Sequence, residues 1–137
     1  MKIKLPAALS AFLLLTGCAG LQLSGTDEER VAKRAEAQMN AFLQKDYEQA
    51  YTYMSPGYRN THTLHRFASD FTGMVNLQGF EIGQVECESE VRCEAVIHRQ
   101  QKAPPGILGT SNRPMILPLT SRQTWVLVNS TWYHYKR

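Results

Sequence analysis

The last third of the sequence lacks acidic residues. No Asp or Glu follows Glu94, whereas six basic residues do: Arg99, Lys102, Arg113, Arg122, Lys136 and Arg137. Basic side chains along a solvated strand edge prevent that strand from pairing with another chain. The same side chains could also form a basic face for an anionic partner. The sequence is compatible with both interpretations.

Motifs of several large enzyme classes are absent as well. The sequence contains no serine nucleophile elbow, no Walker-type phosphate loop and no glycine-rich dinucleotide fingerprint. Their absence argues against a serine hydrolase of the elbow type, a P-loop nucleotide hydrolase and a Rossmann dehydrogenase. We therefore assign no catalytic residue from motifs and expect no cofactor.

Cysteine is scarce, with Cys18, Cys87 and Cys93 as its only occurrences. The last two lack the Cys-x-x-Cys spacing and have no second ligand pair, so a metal or redox site is the less favoured interpretation. Residues 85–93 are typical of two strand ends around a tight turn, across which the cysteines could form a disulfide bond in an oxidising compartment. A closed loop this short would contribute about 2 kcal/mol.

The sequence has one N-terminal apolar run, residues 5–15, which is too short to span a bilayer. It follows Lys2 and Lys4 and leads to residues 15–18, Leu-Thr-Gly-Cys. This arrangement resembles the lipobox of bacterial lipoproteins. The resemblance implies a signal peptide over residues 1–17, lipidation of Cys18 and a lipidated tether over residues 18–25. An ordinary signal peptide with an incidental Cys18 is the alternative.

The lipoprotein resemblance also implies a location. A cysteine that carries several acyl chains anchors a protein stably in a membrane. Ala19 stands where the family's inner-membrane retention signal would have Asp. We therefore expect the protein at the periplasmic face of the outer membrane of a Gram-negative bacterium, with the membrane as a partner through the lipid anchor.

Removal of the signal peptide would leave a nearly neutral chain. The full sequence has 15 basic and 12 acidic residues, and two of the bases are Lys2 and Lys4, so 13 bases and 12 acids would remain. This balance does not support nucleic-acid binding. About 120 residues are enough for one domain with one core, and we place that domain at residues 26–137.

Three amphipathic helices are predicted at the start of this domain, with Thr26, Asp46 and Thr63 as their N-caps. Thr26 and Glu29 have the spacing of a capping box. The expected core-facing residues recur at the helical period: Val31, Ala35, Met39, Phe42 and Leu43, then Tyr47, Ala50, Tyr51 and Met54, then Leu64, Phe67, Ala68, Phe71 and Met74. The sequence Ser-Pro-Gly at residues 55–57 is predicted to end the second helix and to lead into a polar turn.

Strands are predicted in the second half. Alternating apolar residues change phase at Gly83, which indicates a bulge. A second strand follows from Val91, a third lies within residues 115–128, and Asn129 and Ser130 are typical of a hairpin turn before the last strand. We therefore predict an α+β fold in which N-terminal amphipathic helices pack on one face of a curved antiparallel sheet.

Residues 45–47, residues 50–56 and the aromatic residues Trp125, Trp132 and Tyr133 resemble those of small nuclear transport factor 2-like (cystatin-like) domains. The resemblance implies a cone-like half-barrel with a pocket between helices and sheet. Members of the family include dehydratases, isomerases, polyketide cyclases and non-catalytic binding domains, so the fold does not fix the function.

Catalytic members of that family usually hold an Asp, His or Tyr inside the cone. The corresponding pocket candidates here are Tyr51, Tyr58, His65, Asp70 and Trp125, with Tyr53 and His134 as further residues of the same kind. His65 and Asp70 are five positions apart and would point to different sides of a helix. The simpler interpretation is that the aromatic residues fill the core and the sheet.

Residues 101–114 are predicted to form a long loop, rich in Pro and Gly, between two strands. Its candidate partner contacts are Lys102, Ile107, Leu108 and Arg113. The loop could equally be a flap over the cone or a plain hairpin end.

We predict a non-catalytic binding or assembly module that recognises an envelope protein or an anionic envelope component. The alternative is a small pocket enzyme of the isomerase, dehydratase or hydrolase type. A cone filled by Phe, Met and Trp would favour binding.

Overall fold

The structure is a computed structural model and describes residues 25–103 and 114–137. Helices come first: α1 (Asp27–Leu43), α2 (Tyr47–Thr52), α3 (Pro56–Thr61), α4 (Leu64–Asp70) and a 3-10 turn (Thr72–Asn76). Strands follow: β1 (Leu77–Ser89), β2 (Arg92–Ala103), β3 (Met115–Val128) and β4 (Thr131–Tyr135). The strands form one antiparallel sheet in the order β1-β2-β3-β4, with the helices on one face. The predicted α+β class is confirmed.

Helix α1 begins at the predicted capping box. The Thr26 hydroxyl accepts a hydrogen bond from the Glu29 N–H, and the Glu29 carboxylate accepts one from the Thr26 N–H, both at 3.3 Å. Val31, Ala35, Met39 and Phe42 are fully buried. Leu43 was predicted on the same face and is 38% exposed, because α1 ends at this residue and the chain turns away from the core.

The predicted polar turn after residues 55–57 is wrong, because a further helix, α3, begins at Pro56. The Ser55 side chain accepts a hydrogen bond from the Tyr58 N–H and caps this helix. Proline is well suited to the first position of a helix, since its missing N–H would have no partner there. The Ser-Pro-Gly sequence therefore ends one helix and starts the next.

Helix α4 begins at the predicted cap Thr63, but it is shorter than predicted. It ends at Asp70, and Phe71 and Met74 lie in and beside the 3-10 turn. The amide of the Gln101 side chain donates a hydrogen bond to the Gly73 carbonyl, which holds this turn against β2. Both apolar residues still reach the core.

The bulge predicted at Gly83 and the predicted hairpin turn are both present, and β1 has two further register shifts, between Leu77 and Gly79 and between Cys87 and Ser89, that were not predicted. The register of β1 and β2 shifts between Ile82 and Val85, at Gly83. A Cβ at Gly83 would lie 2.9 Å from His98 Nε2, so a side chain at this position would displace the His98 ring. At the other end, Asn129 and Ser130 have φ values of 48° and 63°, which matches a two-residue hairpin turn.

Strand β2 extends further than predicted. It continues to Ala103, which pairs with Met115 of β3. Gln101 and Lys102 therefore belong to the strand and not to the predicted loop, because backbone pairing with β3 continues through them. Residues 104–113 lie outside the described residues.

The predicted disulfide bond between Cys87 and Cys93 is present. The two cysteines are directly opposite each other in the β1–β2 register, with their Cα atoms 3.8 Å apart. Cys93 is fully buried on the face of the sheet that the helices cover. The bond therefore ties the edge strand β1 to the centre of the sheet.

Candidate functional site

Aromatic rings fill the space between the helices and the sheet. The ring of Phe42 lies 5.8 Å from that of Phe67 and 5.2 Å from that of Phe71, centroid to centroid. Trp125 of β3 stacks on His134 of β4 at 5.6 Å. Phe42, Phe67 and Trp125 have no exposed surface. The centre of the half-barrel is thus a packed core.

Tyr58 and Asp70 are brought together by α3 and α4. The Tyr58 hydroxyl donates to Asp70 Oδ2 at 3.2 Å, and Arg66 Nε lies 3.1 Å from Asp70 Oδ1. Burial and the nearby Asp70 carboxylate raise the pKa of Tyr58 to about 12. The phenol therefore stays protonated near neutral pH and serves as a hydrogen-bond donor between the helices.

The other predicted pocket residues lie apart from this pair. The Tyr51 hydroxyl is 2.6 Å from the His62 carbonyl oxygen and 3.2 Å from that of Arg59, so it joins α2 to α3. His65 is exposed on α4. Trp125 is buried in the sheet, where its indole N–H donates to Gln123 Oε1 at 3.3 Å. Of the five candidates, only Tyr58 and Asp70 are bonded to each other.

A buried polar pair lies at the centre of the core. His134 Nδ1 is 2.9 Å from Gln38 Oε1, and Gln38 Nε2 donates to the Ala50 carbonyl at 3.1 Å. Because the Gln38 amide nitrogen is directed at Ala50, its oxygen faces His134, and Nδ1 of His134 carries the proton. Burial, together with the positive charge of Lys136, lowers the pKa of His134 to about 3. His134 is therefore neutral under ordinary conditions and joins α1, α2 and β4.

Gln38 has no counterpart among the predicted site residues. It occupies the apolar face of α1, three positions after Ala35 and four before Phe42, and is fully buried. A glutamine at such a position needs a buried partner. This signal is visible in the sequence, although it does not say that the partner is His134, 96 positions away.

An open cavity lies beside this core, at the edge where the helices end. We call it the mouth cavity; its volume is about 280 Å³, and it is lined by Phe71, Met74, Arg99, Ser121, Arg122, Gln123, Thr124, His134, Tyr135 and Lys136. Arg99 belongs to β2, Ser121 to β3, and Lys136 follows β4. Three neighbouring segments of the sheet thus supply polar side chains to one hollow.

The lining of the mouth cavity contains basic side chains and no carboxylate side chain among the described residues. Burial lowers the pKa of Arg99. Its Nη1 is 3.3 Å from Met74 Sδ, and its buried Nε has no hydrogen-bond partner. Lys136 Nζ lies 4.4 Å from the ring centroid of Phe71, a cation–π contact. The cavity is electropositive.

A second hollow, of about 670 Å³, runs between the outer side of α1 and the edge strand β1. Its charged side chains are of both signs: Glu29, Lys33, Glu36 and Glu81. None of the predicted pocket residues lines it. With three carboxylates and one ammonium it is net negative, the opposite of the mouth cavity.

The predicted partner loop is only partly described. Lys102 is exposed at the end of β2, next to exposed Met115 and Ile116 on β3. Ile107, Leu108 and Arg113 lie outside the described residues, as does the predicted lipidation site Cys18.

Two absences concern the described part of the chain only. Within it, no group of three or more His, Cys, Asp or Glu side chains is arranged to hold a metal ion. Residues 25–103 and 114–137 also contain no helix that is both long and apolar enough to cross a membrane.

No protein-family model matches the chain, and no curated protein matches it in sequence. Solved structures do resemble it. A SEC-C motif containing protein from Psychrobacter arcticus is similar at a TM-score of 0.58 and 15% identity, over 96% of this chain and 75% of that one. One from Rhodopseudomonas palustris has a TM-score of 0.55 and 10% identity, over 75% and 73% of the two chains.

A third similar structure is a candidate dehydratase of the nuclear transport factor 2-like family from Streptomyces avermitilis. Its TM-score is 0.52 at 12% identity, and the match covers 78% of this chain and 92% of that one. At these identities the likeness shows the fold alone. The predicted nuclear transport factor 2-like fold is therefore supported, with helices preceding a curved antiparallel sheet.

Proposed function

We propose that this chain is a lipid-anchored, non-catalytic binding module of the Gram-negative cell envelope. In this proposal Cys18 holds it at the periplasmic face of the outer membrane, and the folded domain binds an envelope protein or an anionic envelope component. The observation that carries the binding role is the packed core, in which Phe42, Phe67 and Trp125 occupy the place of a substrate pocket.

The state of the polar core residues supports binding rather than turnover. Tyr58 is held protonated by burial and by Asp70, so it is a poor base. His134 is held neutral, and its Nδ1 is committed to Gln38. General acid–base catalysis needs a group that changes protonation near the working pH. These two groups titrate far from it.

Two features support the envelope location. The first is the lipobox-like sequence that ends at Cys18. The second is the disulfide bond between Cys87 and Cys93, since such bonds persist in oxidising compartments such as the periplasm. Location and fold are independent in this proposal, because the anchor precedes the domain in the chain.

The binding surface is proposed at residues 104–113 and at the ends of β2 and β3 that they join. Ile116, 50% exposed, is paired with exposed Lys102 on one face of these strands, and Met115 and Leu119 are exposed at 42% and 38% on the other face. Burial of one such apolar side chain in an interface is worth about 1.5–3 kcal/mol. A neighbouring basic residue speeds the approach of an anionic partner, an effect that salt screens.

One crosslinking experiment on intact cells tests the proposed binding role and the pocket-enzyme alternative together. Replacement of residues 104–113 by a short Gly-containing turn should leave the fold intact, since loops tolerate changes in length, and should weaken the capture of the partners that co-purify with the native protein. The matched core variants Tyr51→Phe and Asp70→Asn should keep those partners. If the shortened protein keeps all its partners while a core variant removes an enzymatic activity without unfolding, the pocket-enzyme alternative is correct.

The same experiment includes an anchor variant. Cys18→Ser should lose palmitate labelling and leave the membrane fraction, whereas the double variant Cys87→Ser, Cys93→Ser should keep the label. An unacylated N-terminus with unchanged membrane fractionation would refute the anchor.

A further inference from the structure

Two cations of the mouth cavity, Arg99 and Lys136, have no carboxylate partner among the described residues. The ion pairs among the described residues are Arg30–Asp27, Arg66–Asp70, Arg92–Glu88 and Arg122–Glu94, and none includes Arg99 or Lys136. Arg122 also lines the cavity, but Glu94 lies 3.6 Å from its Nη1 and compensates its charge. The charges of Arg99 and Lys136 have no such compensation.

Arg99 is placed unfavourably for a side chain without an anion. Its guanidinium is half-buried between β2 and the 3-10 turn, and the thioether of Met74, at 3.3 Å, is a weak acceptor. Its Nε is buried without an acceptor. An arginine normally uses its planar fork of donors on a carboxylate or a phosphate. The unused donors of Arg99 lie at a cavity with room for such a group.

Lys136 and Ser121 complete the polar wall. The ammonium of Lys136 is held over Phe71, and its charge is close enough to His134 to disfavour protonation there. Ser121 is opposite Ile97 in the β2–β3 register, two residues from Arg99 along β2, and its half-buried hydroxyl belongs to the cavity lining. One cavity is therefore lined by the guanidinium of Arg99, the ammonium of Lys136 and the hydroxyl of Ser121.

We propose that the mouth cavity is a binding site for a small oxyanion, a phosphate or carboxylate group held between Arg99 and Lys136 with Ser121 as a neutral donor. This inference deepens the proposed binding function and rests on it. The volume of about 280 Å³ is at the lower end of small-molecule sites. The ligand is therefore a small anion or the charged end of a larger molecule, such as a lipid headgroup.

Calorimetric titration of the full-length chain in a non-ionic detergent, with inorganic phosphate and separately with acetate, tests the site. We expect saturable binding of at least one anion. Arg99→Gln should weaken it about tenfold or more, and Lys136→Gln should weaken it several-fold, because one is a half-buried fork and the other an exposed point charge. Lys136 is exposed and lies outside the strands, so its variant folds even if Arg99→Gln does not.

Arg92→Gln is the matched control, since it removes the same charge from the other end of β2, where Arg92 pairs with Glu88. It should bind as the native protein does. Equal weakening in Arg92→Gln and Lys136→Gln would show a diffuse charge effect and overturn the inference, as would the absence of saturable binding of either anion.

A lipid arm identifies the source of the anion. Vesicles that contain phosphatidylglycerol should compete with phosphate if the cavity takes a headgroup; if they do not compete, the ligand is a soluble anion, and both results keep the site. If the native protein binds neither phosphate nor acetate saturably but still crosslinks to its partners, the anion site is refuted and the proposed function is not. Anion binding without partner capture would refute the proposed protein-binding role and leave the site in place.

Discussion

In the centre of the half-barrel, His134 and Gln38 satisfy each other, and Gln38 also bonds to the Ala50 carbonyl. At the mouth cavity, a short distance along the same sheet, Arg99 keeps a buried Nε without a partner. The core therefore uses its polar groups to fix the fold, since a satisfied buried network stabilises one arrangement. The mouth cavity leaves its donors available, which is the arrangement that a binding site needs.

The largest difference between the core and the mouth cavity is expected in the free energy of unfolding of variants. Trp125→Ala should lower the free energy of unfolding by about 3–5 kcal/mol, because it leaves a cavity beside His134 and Gln123. Arg99→Gln should change it by less than about 1 kcal/mol, since the lost charge has no ion-pair partner and its burial is unfavourable. Urea denaturation followed by circular dichroism measures both.

Trp125→Phe is the milder variant if Trp125→Ala does not fold, and it should fall between the other two. If a Trp125 variant lowers the free energy of unfolding no more than Arg99→Gln does, the interior is not the packed region of this molecule.

The second prediction sharpens the comparison through pH. The pKa of His134 is about 3 in the folded chain, against an ordinary value of 6.5, which applies to the unfolded chain. Between these values the unfolded chain binds the proton and the folded chain does not, so stability is complete above pH 6.5 and falls as the pH falls below it. At pH 5 the loss from this residue should be about 2 kcal/mol.

His134→Asn provides the control, because the asparagine amide can still donate to Gln38 but does not titrate. Denaturation curves at pH 7 and pH 5 should show a steeper loss for the native protein than for His134→Asn. Equal losses would show that His134 does not carry the acid sensitivity and that the buried pair is not as the structure has it.

Much of the fold could be predicted because its signals are local. Thr26 and Glu29 are three residues apart, Asn129 and Ser130 are adjacent, and Cys87 and Cys93 span one turn. Helix α3 was missed because Pro56 both ends a helix and begins one, and the choice depends on whether Ser55 caps it. The end of β2 was misplaced because only its pairing with β3 shows that Gln101 and Lys102 are in a strand.

The site was less predictable because it depends on distant contacts. His134 and Gln38 are 96 positions apart, and the mouth cavity combines Arg99 of β2, Ser121 of β3 and Lys136 after β4. One feature of the sequence does agree with the electropositive mouth cavity, namely the absence of acidic residues after Glu94. This absence left two interpretations open, a charged strand edge and a basic face for an anionic partner. Arg122 and Arg99 both line the cavity, and Arg122 pairs with Glu94 whereas Arg99 has no ion pair.

The most direct test of the account is one nitrogen-15 correlation spectrum of the full-length chain in detergent, recorded with increasing phosphate. The side-chain N–H groups of Arg99 and Trp125 report the mouth cavity and the core in the same sample. We predict that the Arg99 Nε resonance shifts until saturation while the Trp125 indole resonance stays in place, because phosphate reaches the mouth cavity and is excluded from the core. A shift of the Trp125 resonance with an unchanged Arg99 resonance would contradict the account.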